Sequence, residues 1–190
     1  GNTALLSNNT ILAHEAYRQA IRLEDGRDDR RLNRIGLALV YSDQGKWSQA
    51  DQLFQEAMEL EYGSTQDILT TQLWLDQKRH FDGEEASLQA ISDWIDSHPN
   101  DLVAHVAQIR EYSLQLQDVD QALMKEQENS TDVADPTMQP TEEQVAIEQA
   151  DSSLRQQQQT LQQGLDAALQ KTDNAFSQLD KYTQQYAVQV

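Results

Sequence analysis

The sequence predicts an all-α fold, and three observations support this prediction. Apolar residues recur at steps of three and four along the chain, whereas the strict alternation of a half-buried strand is absent. Residues that disfavour helix continuation fall between these apolar stripes. Over residues 141–190 the apolar step becomes seven residues, the period of a heptad seam. The chain is therefore expected to form a series of helices that ends in one long helix.

Six apolar stripes mark the expected helices in the first part of the chain. They run from Ile11 to Leu23, Ile35 to Tyr41, Ala50 to Leu60, Ile68 to Trp74, Ala86 to Ile95 and Leu102 to Leu116. The breaks between them contain Gly26, Gly45, Gly63, Gly83 and Pro99. Asp101 follows Pro99 and can cap the sixth helix. Because the connections are short, successive helices are expected to pack as antiparallel hairpins.

Composition excludes several classes of function. The chain has no cysteine, so it can form no disulfide framework, thiolate metal site or thiol nucleophile. Its 14 basic and 32 acidic residues give a net charge of −18, which repels the phosphate backbone of nucleic acids. The sequence contains no apolar run of about 18 residues. We therefore expect no nucleic-acid partner and no membrane span in this chain.

The titratable residues form no recognisable catalytic or metal-binding pattern. The histidines, at positions 14, 80, 98 and 105, lack the spacing of a metalloprotease pair. No phosphate-binding loop, dinucleotide fingerprint or nucleophile elbow is present. The acidic residues around Gly26 do not fit the calcium-loop pattern. The sequence therefore predicts a non-enzymatic protein with no cofactor and no metal.

One short pattern occurs twice in the same register. Ala13, Tyr17 and Ala20 place an aromatic residue between two small ones, and the same spacing recurs 37 residues later. The three positions share one helical face, where small side chains let a neighbouring helix approach the ring. The second copy and its preceding helix comprise Leu37, Ala38, Tyr41, Gly45, Trp47, Ala50, Phe54 and Ala57. All of these residues are expected to pack helix against helix.

This arrangement resembles the tetratricopeptide repeat, a helix-turn-helix unit of about 34 residues. The resemblance is strongest from Leu37 to Ala57 and extends roughly over residues 1–116. It weakens along the chain, because Trp94 is large where a small residue is expected. The second helix of a fourth copy, near Val119–Met124, is short and polar. By the same spacing Gly1 falls inside a first helix, so the chain is expected to start within a repeat.

The resemblance implies an α-solenoid whose first helices line a concave surface for a protein or peptide partner. On that surface it places Leu32, Ile35, Leu39 and Asp43 in the best copy, and Val106, Arg110 and Ser113 in the last. Some family members bind chaperone tails through lysine, asparagine and arginine. Here Gly36 occupies one such position and no lysines line the surface. The expected groove is therefore mostly apolar and suits an amphipathic helix.

A change in composition separates these repeats from the C-terminal segment. Residues 125–140 are acidic, contain two prolines and have almost no large apolar side chain. This predicts a flexible linker between a helical domain over 1–124 and a helix over 141–190. Thr141 and Gln144 form a capping-box pattern, which predicts that the last helix starts directly after the linker.

The glutamine-rich segment over 141–190 carries two apolar rows that together form a seam. One row recurs every seven residues from Ile147 and the second joins it at Leu165, although Asp151 and Gln158 interrupt the first half. Gly164 is expected to cost about 1 kcal/mol of helix stability and to kink or split the helix. The principal seam residues are Leu154, Leu161, Leu165, Leu179 and Tyr186.

Three outcomes are open for this seam. It folds back over the repeats as a cap, it pairs with a second copy of the chain, or it binds another protein. The sequence favours an interaction module, meaning a scaffold, an assembly factor or a chaperone-like protein. The alternative is a structural coiled-coil protein that forms a homodimer through 141–190, with the repeats as a spacer. Few lysines, many amides and no cysteine favour a bacterial cell envelope or periplasm over the cytoplasm.

Overall fold

A computed structural model describes residues 9–23, 27–61, 68–131 and 142–187. Over these ranges the helices are α1 (Thr10–Arg22), α2 (Arg27–Asp43), α3 (Trp47–Glu61), α4 (Ile68–Asp82), α5 (Glu84–Ser97), α6 (Leu102–Thr131) and α7 (Glu142–Ala187). No strand occurs in the described ranges, which confirms the all-α class. None of these helices is long and apolar enough to cross a membrane. The chain divides into two compact units, unit 1 over residues 1–107 and unit 2 over 108–190.

The helix boundaries follow local chemistry. The side chain of Asn9 caps α1 by accepting a hydrogen bond from the backbone N–H of Leu12 at 3.1 Å. Gly45 has φ of 68°, a left-handed conformation that lets the chain turn from α2 into α3. A carboxylate oxygen of Asp101 accepts from the N–H of Ala104 at 3.1 Å and caps α6. The turn at Gly45 and the cap at Asp101 were expected from the sequence, whereas the cap at Asn9 was not.

In unit 1, α1 and α2 pack closely because a glycine faces an aromatic ring. A β-carbon built on Gly36 would overlap the ring of Tyr17. Three residues earlier on α1, His14 Nε2 lies 3.3 Å from the hydroxyl of Tyr41. From the first contact to the second, the residue number falls on α1 and rises on α2, so the two helices are antiparallel. The buried side chains of this cluster are Ala13, Tyr17, Leu37 and Val40.

A larger apolar cluster joins α2 to the start of α6 within unit 1. Phe54 is fully buried in it and is the largest of the side chains with no exposed surface. The buried members are Ala38, Ala50, Phe54, Met58, Trp74, Leu75, Ile91, Trp94, Ile95, Ala104 and Ala107. Removing the ring of Phe54 would therefore leave a cavity and lower the free energy of unfolding by about 3–5 kcal/mol.

Each of the three tryptophans donates its indole N–H to an aspartate. The pairs are Trp47 with Asp82 at 2.7 Å, Trp74 with Asp51 at 2.7 Å and Trp94 with Asp101 at 2.9 Å. The first two pairs join α3 to α4. From one pair to the other the residue number rises on α3 and falls on α4, so these helices are also antiparallel. Because an N–H without a partner is costly where it is buried, the buried bond of Trp94 fixes its ring most firmly.

The small and aromatic residues of the repeated pattern lie mostly inside unit 1. Those classed as buried are Ala13, Tyr17, Leu37, Ala38, Ala50, Phe54 and Ala57. Ala20, Tyr41 and Trp47 are half-buried, and Gly45 is exposed at its turn. The small–aromatic face of α1 and that of α3 thus both point into apolar clusters.

The structure differs from the expected organisation along α6. This helix continues to Thr131, so residues 119–124 are not a separate second helix and residues 125–131 are helical and not linker. The reason is that residues 117–131 are polar but contain no glycine or proline, so nothing ends the helix there. The boundary between the compact units falls at residue 107 and not at 124. The remaining residues of the expected linker, 132–140, lie outside the described ranges.

Unit 2 contains a pair of antiparallel helical segments from α6 and α7. Gln158 Nε2 donates to Asp120 Oδ1 at 2.7 Å, and Gly164 faces the ring of Tyr112. Gly164 does not split α7, which is continuous over its 46 residues. A β-carbon at this position would overlap the Tyr112 ring, so the glycine allows close approach of the two helices.

The buried stripe of α7 follows the expected heptad spacing. Leu161, Ala168, Thr172 and Ala175 are buried, and Leu154 and Leu165 are half-buried. Asp151 and Gln158 fall on the same stripe and are also half-buried. The side chains of Leu179 and Tyr186 are not among those that the structure describes.

The buried face of α6 in unit 2 is polar at its start. Gln108, Glu111 and Gln115 are buried, and Val119 and Leu123 continue the same face as apolar residues. A polar contact from Gln158 to Asp120 joins α6 to α7.

We expect Gly36→Ala to lower the unfolding free energy by about 1–3 kcal/mol, because the new methyl group would overlap the Tyr17 ring. Helix propensity alone predicts the opposite sign, a gain of about 1 kcal/mol. Chemical denaturation followed by circular dichroism measures the difference. In a Tyr17→Ser background the same substitution is expected to become stabilising. Stabilisation by Gly36→Ala with Tyr17 in place would contradict the close packing of α1 on α2.

Candidate functional site

The predicted groove residues Leu39 and Asp43 line a surface recess of about 520 Å³ in unit 1. Residues of α2 form one wall, residues of α4 form the other, and the first residue of α1 completes the lining. The lining residues are Thr10, Leu39, Ser42, Asp43, Gln77, His80 and Phe81. We call this surface the α2–α4 recess.

Helical spacing places these side chains together. On α2 the lining residues stand at i, i+3 and i+4 from Leu39, and on α4 they stand at the same spacing from Gln77, so each set shares one helical face. Near the other end of the two helices, Arg31 Nη1 donates to Thr70 Oγ1 at 3.4 Å. From this contact to the recess, the residue number rises on both α2 and α4. α2 and α4 therefore run parallel, as alternate helices of consecutive antiparallel hairpins do.

The recess combines an apolar surface with a polar rim. Leu39 is half-buried and Phe81 is 38% exposed, so both offer apolar area to a ligand. Asp43 and His80 are exposed beside them. The hydroxyl of Ser42 is buried and has no hydrogen-bond partner among the described atoms. This arrangement can hold an apolar side chain while Asp43 binds a backbone N–H or a cation.

A network behind the recess fixes the position of Phe81. Its ring stacks on Trp47 with centroids 5.3 Å apart and an interplanar angle of 11°. The neighbouring Asp82 accepts from Trp47 and lies 2.9 Å from Lys78 Nζ. Lys78 also lies 3.7 Å from Asp51. Hydrogen bonding to Lys78 and then to Trp47 lowers the pKa of Asp82 below its ordinary value. The end of α4 is thus held against α3.

The other predicted groove residues are placed differently. Leu32 is 54% exposed and Ile35 packs against the larger apolar cluster, and neither lines the α2–α4 recess. Val106 is exposed near the end of unit 1. Arg110 and Ser113 belong to unit 2, where Arg110 Nη1 lies 3.5 Å from Glu111 Oε1. Of the predicted set, Leu39 and Asp43 are the residues that share the recess.

Sequence reasoning missed the α4 wall of the recess. Gln77, His80 and Phe81 fall in the first helix of the expected third copy, whose pattern in the sequence is degenerate, so no residues were assigned there. The repeat register contained the signal, because the first helix of every copy is expected to face the same surface. The Trp47–Asp82 bond had no local signal, since its partners are far apart in sequence.

A second recess of about 480 Å³ lies between α3, α4 and α5 in unit 1. Trp74 and Trp94 form its apolar part, and their indole N–H groups are already bonded to Asp51 and Asp101. At its rim Gln89 donates to Asp93 at 2.7 Å. These polar groups are engaged within the protein, so this recess offers fewer ligand contacts than the α2–α4 recess.

The histidines are dispersed among structural contacts. His14, His98 and His105 contact the Tyr41 hydroxyl, the Trp94 ring and the carbonyl of Pro99. His80 lies edge-on to Phe81 with centroids 4.8 Å apart. Over the described ranges, no three His, Asp or Glu side chains converge as the ligands of a metal ion would.

Comparisons of the chain with protein-family models, curated proteins and solved structures find no match. The functional interpretation therefore depends on the residues and the geometry described above.

Asp82→Asn is expected to lower the unfolding free energy near neutral pH by no more than about 1 kcal/mol, because the carboxylate is partly exposed to solvent. The lowered pKa of Asp82 means that its stabilising effect is present above the ordinary aspartate pKa, about 3.9, and is lost as the pH falls through the folded-state pKa. Thermal denaturation of both proteins at about pH 6 and about pH 2.5 should show a smaller difference at the lower pH. A difference that is equal at both pH values would contradict the role of the Asp82 carboxylate.

Proposed function

We propose that this chain is a non-enzymatic protein-interaction module that binds a peptide or helix of a partner protein in the α2–α4 recess. The observation that supports this proposal is the composition of the recess wall. Leu39 and Asp43, which the repeat resemblance places on a ligand-binding surface, lie beside Phe81 and His80 of the parallel helix α4. The acidic rim favours a ligand with a basic group next to an apolar side chain.

In this proposal the helices are tetratricopeptide-like repeats that belong to an α-solenoid. The hairpins α2–α3 and α4–α5 are successive units, and α1 corresponds to the second helix of a repeat. The antiparallel packing of neighbours, the parallel course of α2 and α4 and the turn at Gly45 support this arrangement. The first helix of each unit then faces the ligand.

One apolar anchor in the recess does not by itself provide the affinity of a stable peptide complex. Fully burying one leucine-sized side chain contributes about 1.5–3 kcal/mol, whereas a micromolar complex needs about 8 kcal/mol. One anchor in the α2–α4 recess is therefore too weak alone. An extended or helical ligand that also contacts neighbouring exposed residues such as Leu32 could supply the remaining affinity.

The alternative function, a coiled-coil oligomer formed by α7, has less support. Leu161 and Ala168 of its heptad seam are 7% and 3% exposed in the single chain. A second copy is therefore not needed to remove these residues from water. A location in a bacterial cell envelope is a prediction from composition alone.

Peptides selected from a random displayed library against the whole chain would test the binding function. We expect Leu39→Asp and Asp43→Lys to weaken the selected peptides at least about tenfold, corresponding to about 1.4 kcal/mol. Ile35→Asp is expected to have a smaller effect, because Ile35 does not line the recess. Fluorescence anisotropy with labelled peptides measures the dissociation constants.

Ile11→Asp on α1 is the matched control, because Ile11 is exposed outside the recess. Equal binding by the wild type and both recess variants would contradict the proposal. The thermal stability of the recess variants must also stay well above that of the Phe54→Ala variant. A loss as large as that of the Phe54 variant would identify Leu39 as a core residue, leaving Asp43→Lys to decide the binding question.

A further inference from the structure

The C-terminal half of α7 carries large apolar side chains that remain exposed. Leu169 is 44% exposed and Phe176 is 50% exposed, and their seven-residue separation places them on one side of the helix. Leu165 is half-buried one turn before Leu169. We call Leu165, Leu169 and Phe176 the α7 face.

The α7 face borders the heptad seam described above and shares Leu165 with it. Leu169 and Phe176 each directly follow a buried alanine, Ala168 and Ala175. The seam residues are therefore already withdrawn from solvent, whereas the next row around the helix is not. An additional helix could cover this row without displacing the seam.

Two aspartates border the α7 face on one side. Asp166 and Asp173 are exposed and stand three residues before Leu169 and Phe176, respectively, so each lies next to one apolar side chain. Gln162 Nε2 donates to Asp166 at 3.1 Å, which is a neutral partner. On the other side of the face lie the buried alanines. Among the described side chains, the charges that border the face are therefore negative.

This charge pattern disfavours a second copy of the chain as the occupant. In an antiparallel symmetric pair, which uses the same surface of both copies, the row of Asp166 and Asp173 would approach the corresponding row. No lysine or arginine of the face could offset that repulsion, and each chain carries a net charge of −18. The complementary occupant is a helix with apolar side chains and a basic border.

We propose that the α7 face binds a cationic amphipathic helix of another protein. Apolar side chains of that helix, spaced by four and seven residues, cover Leu165, Leu169 and Phe176. Lysine or arginine side chains beside them pair with Asp166 and Asp173. This surface is independent of the α2–α4 recess, and the binding is expected to weaken as salt rises.

The probe is a synthetic helical peptide with leucines at that spacing and lysines on both borders. A matched peptide carries glutamate in place of every lysine. Fluorescence anisotropy with the full chain gives the dissociation constants at about 0.05 M and about 0.3 M salt. We expect the lysine peptide to bind and the glutamate peptide to bind at least about tenfold more weakly.

Variants of the face locate the binding. Leu169→Ser and Phe176→Ser are each expected to weaken the lysine peptide at least about tenfold. Asp166→Lys combined with Asp173→Lys should do the same and should improve binding of the glutamate peptide. This charge-reversed variant keeps the apolar residues, so it tests the proposal even if a serine variant unfolds.

Two controls separate this surface from general attraction to an acidic chain. Leu12→Ser removes an exposed apolar side chain of α1, and Glu15→Lys combined with Glu85→Lys makes the same charge change elsewhere. Both are expected to bind the lysine peptide within about twofold of the wild type at the higher salt concentration.

Three results would overturn the proposal. One is a lysine peptide that does not bind, or that binds no better than the glutamate peptide. Another is a loss of binding in the control variants as large as in the Phe176 variant. The third is that the wild type sediments as a dimer and the Leu169→Ser variant does not. The occupant of the α7 face would then be a second copy of the chain.

Discussion

In both units a tyrosine ring lies against a glycine of a neighbouring helix. Tyr17 approaches Gly36 in unit 1 and Tyr112 approaches Gly164 in unit 2. Any side chain at either glycine would have to push the ring away or move the helices apart. The cluster around Ala13 and the interface between α6 and α7 both depend on this close approach. A helical glycine, which is locally unfavourable, thereby contributes to tertiary packing.

The acidic side chains also have a structural role. All three tryptophans bind an aspartate through the indole N–H, and one of these aspartates also caps α6. Each bond satisfies a donor on a large ring and links one helix to the next. The Trp47–Asp82 pair additionally supports Phe81 in the α2–α4 recess through ring stacking. Part of the high acid content therefore orients the aromatic residues that shape unit 1.

The sequence predicted the helical class and many positions that turn out to be buried, because the spacing of small and aromatic residues is a local property. The packing partners of Gly36 and Gly164 were not predictable in the same way. Each glycine meets a ring on another helix, and a local view shows only its cost in helix propensity. The length of α6 was underestimated because its apolar pattern fades before any residue ends the helix. For the recess, the expected repeat register placed Leu39 and Asp43 of the α2 wall on a ligand-facing surface, whereas it assigned no residue of the α4 wall.

One polar contact inside unit 2 restricts which helix can pack on α6 in place of α7. Gln158 of α7 donates to Asp120 of α6 at 2.7 Å. A leucine-rich helix in that place would cover the Asp120 carboxylate without supplying a donor, at about 1–3 kcal/mol. The contact thus adds selectivity, since it penalises ordinary amphipathic helices whose buried face carries only apolar side chains.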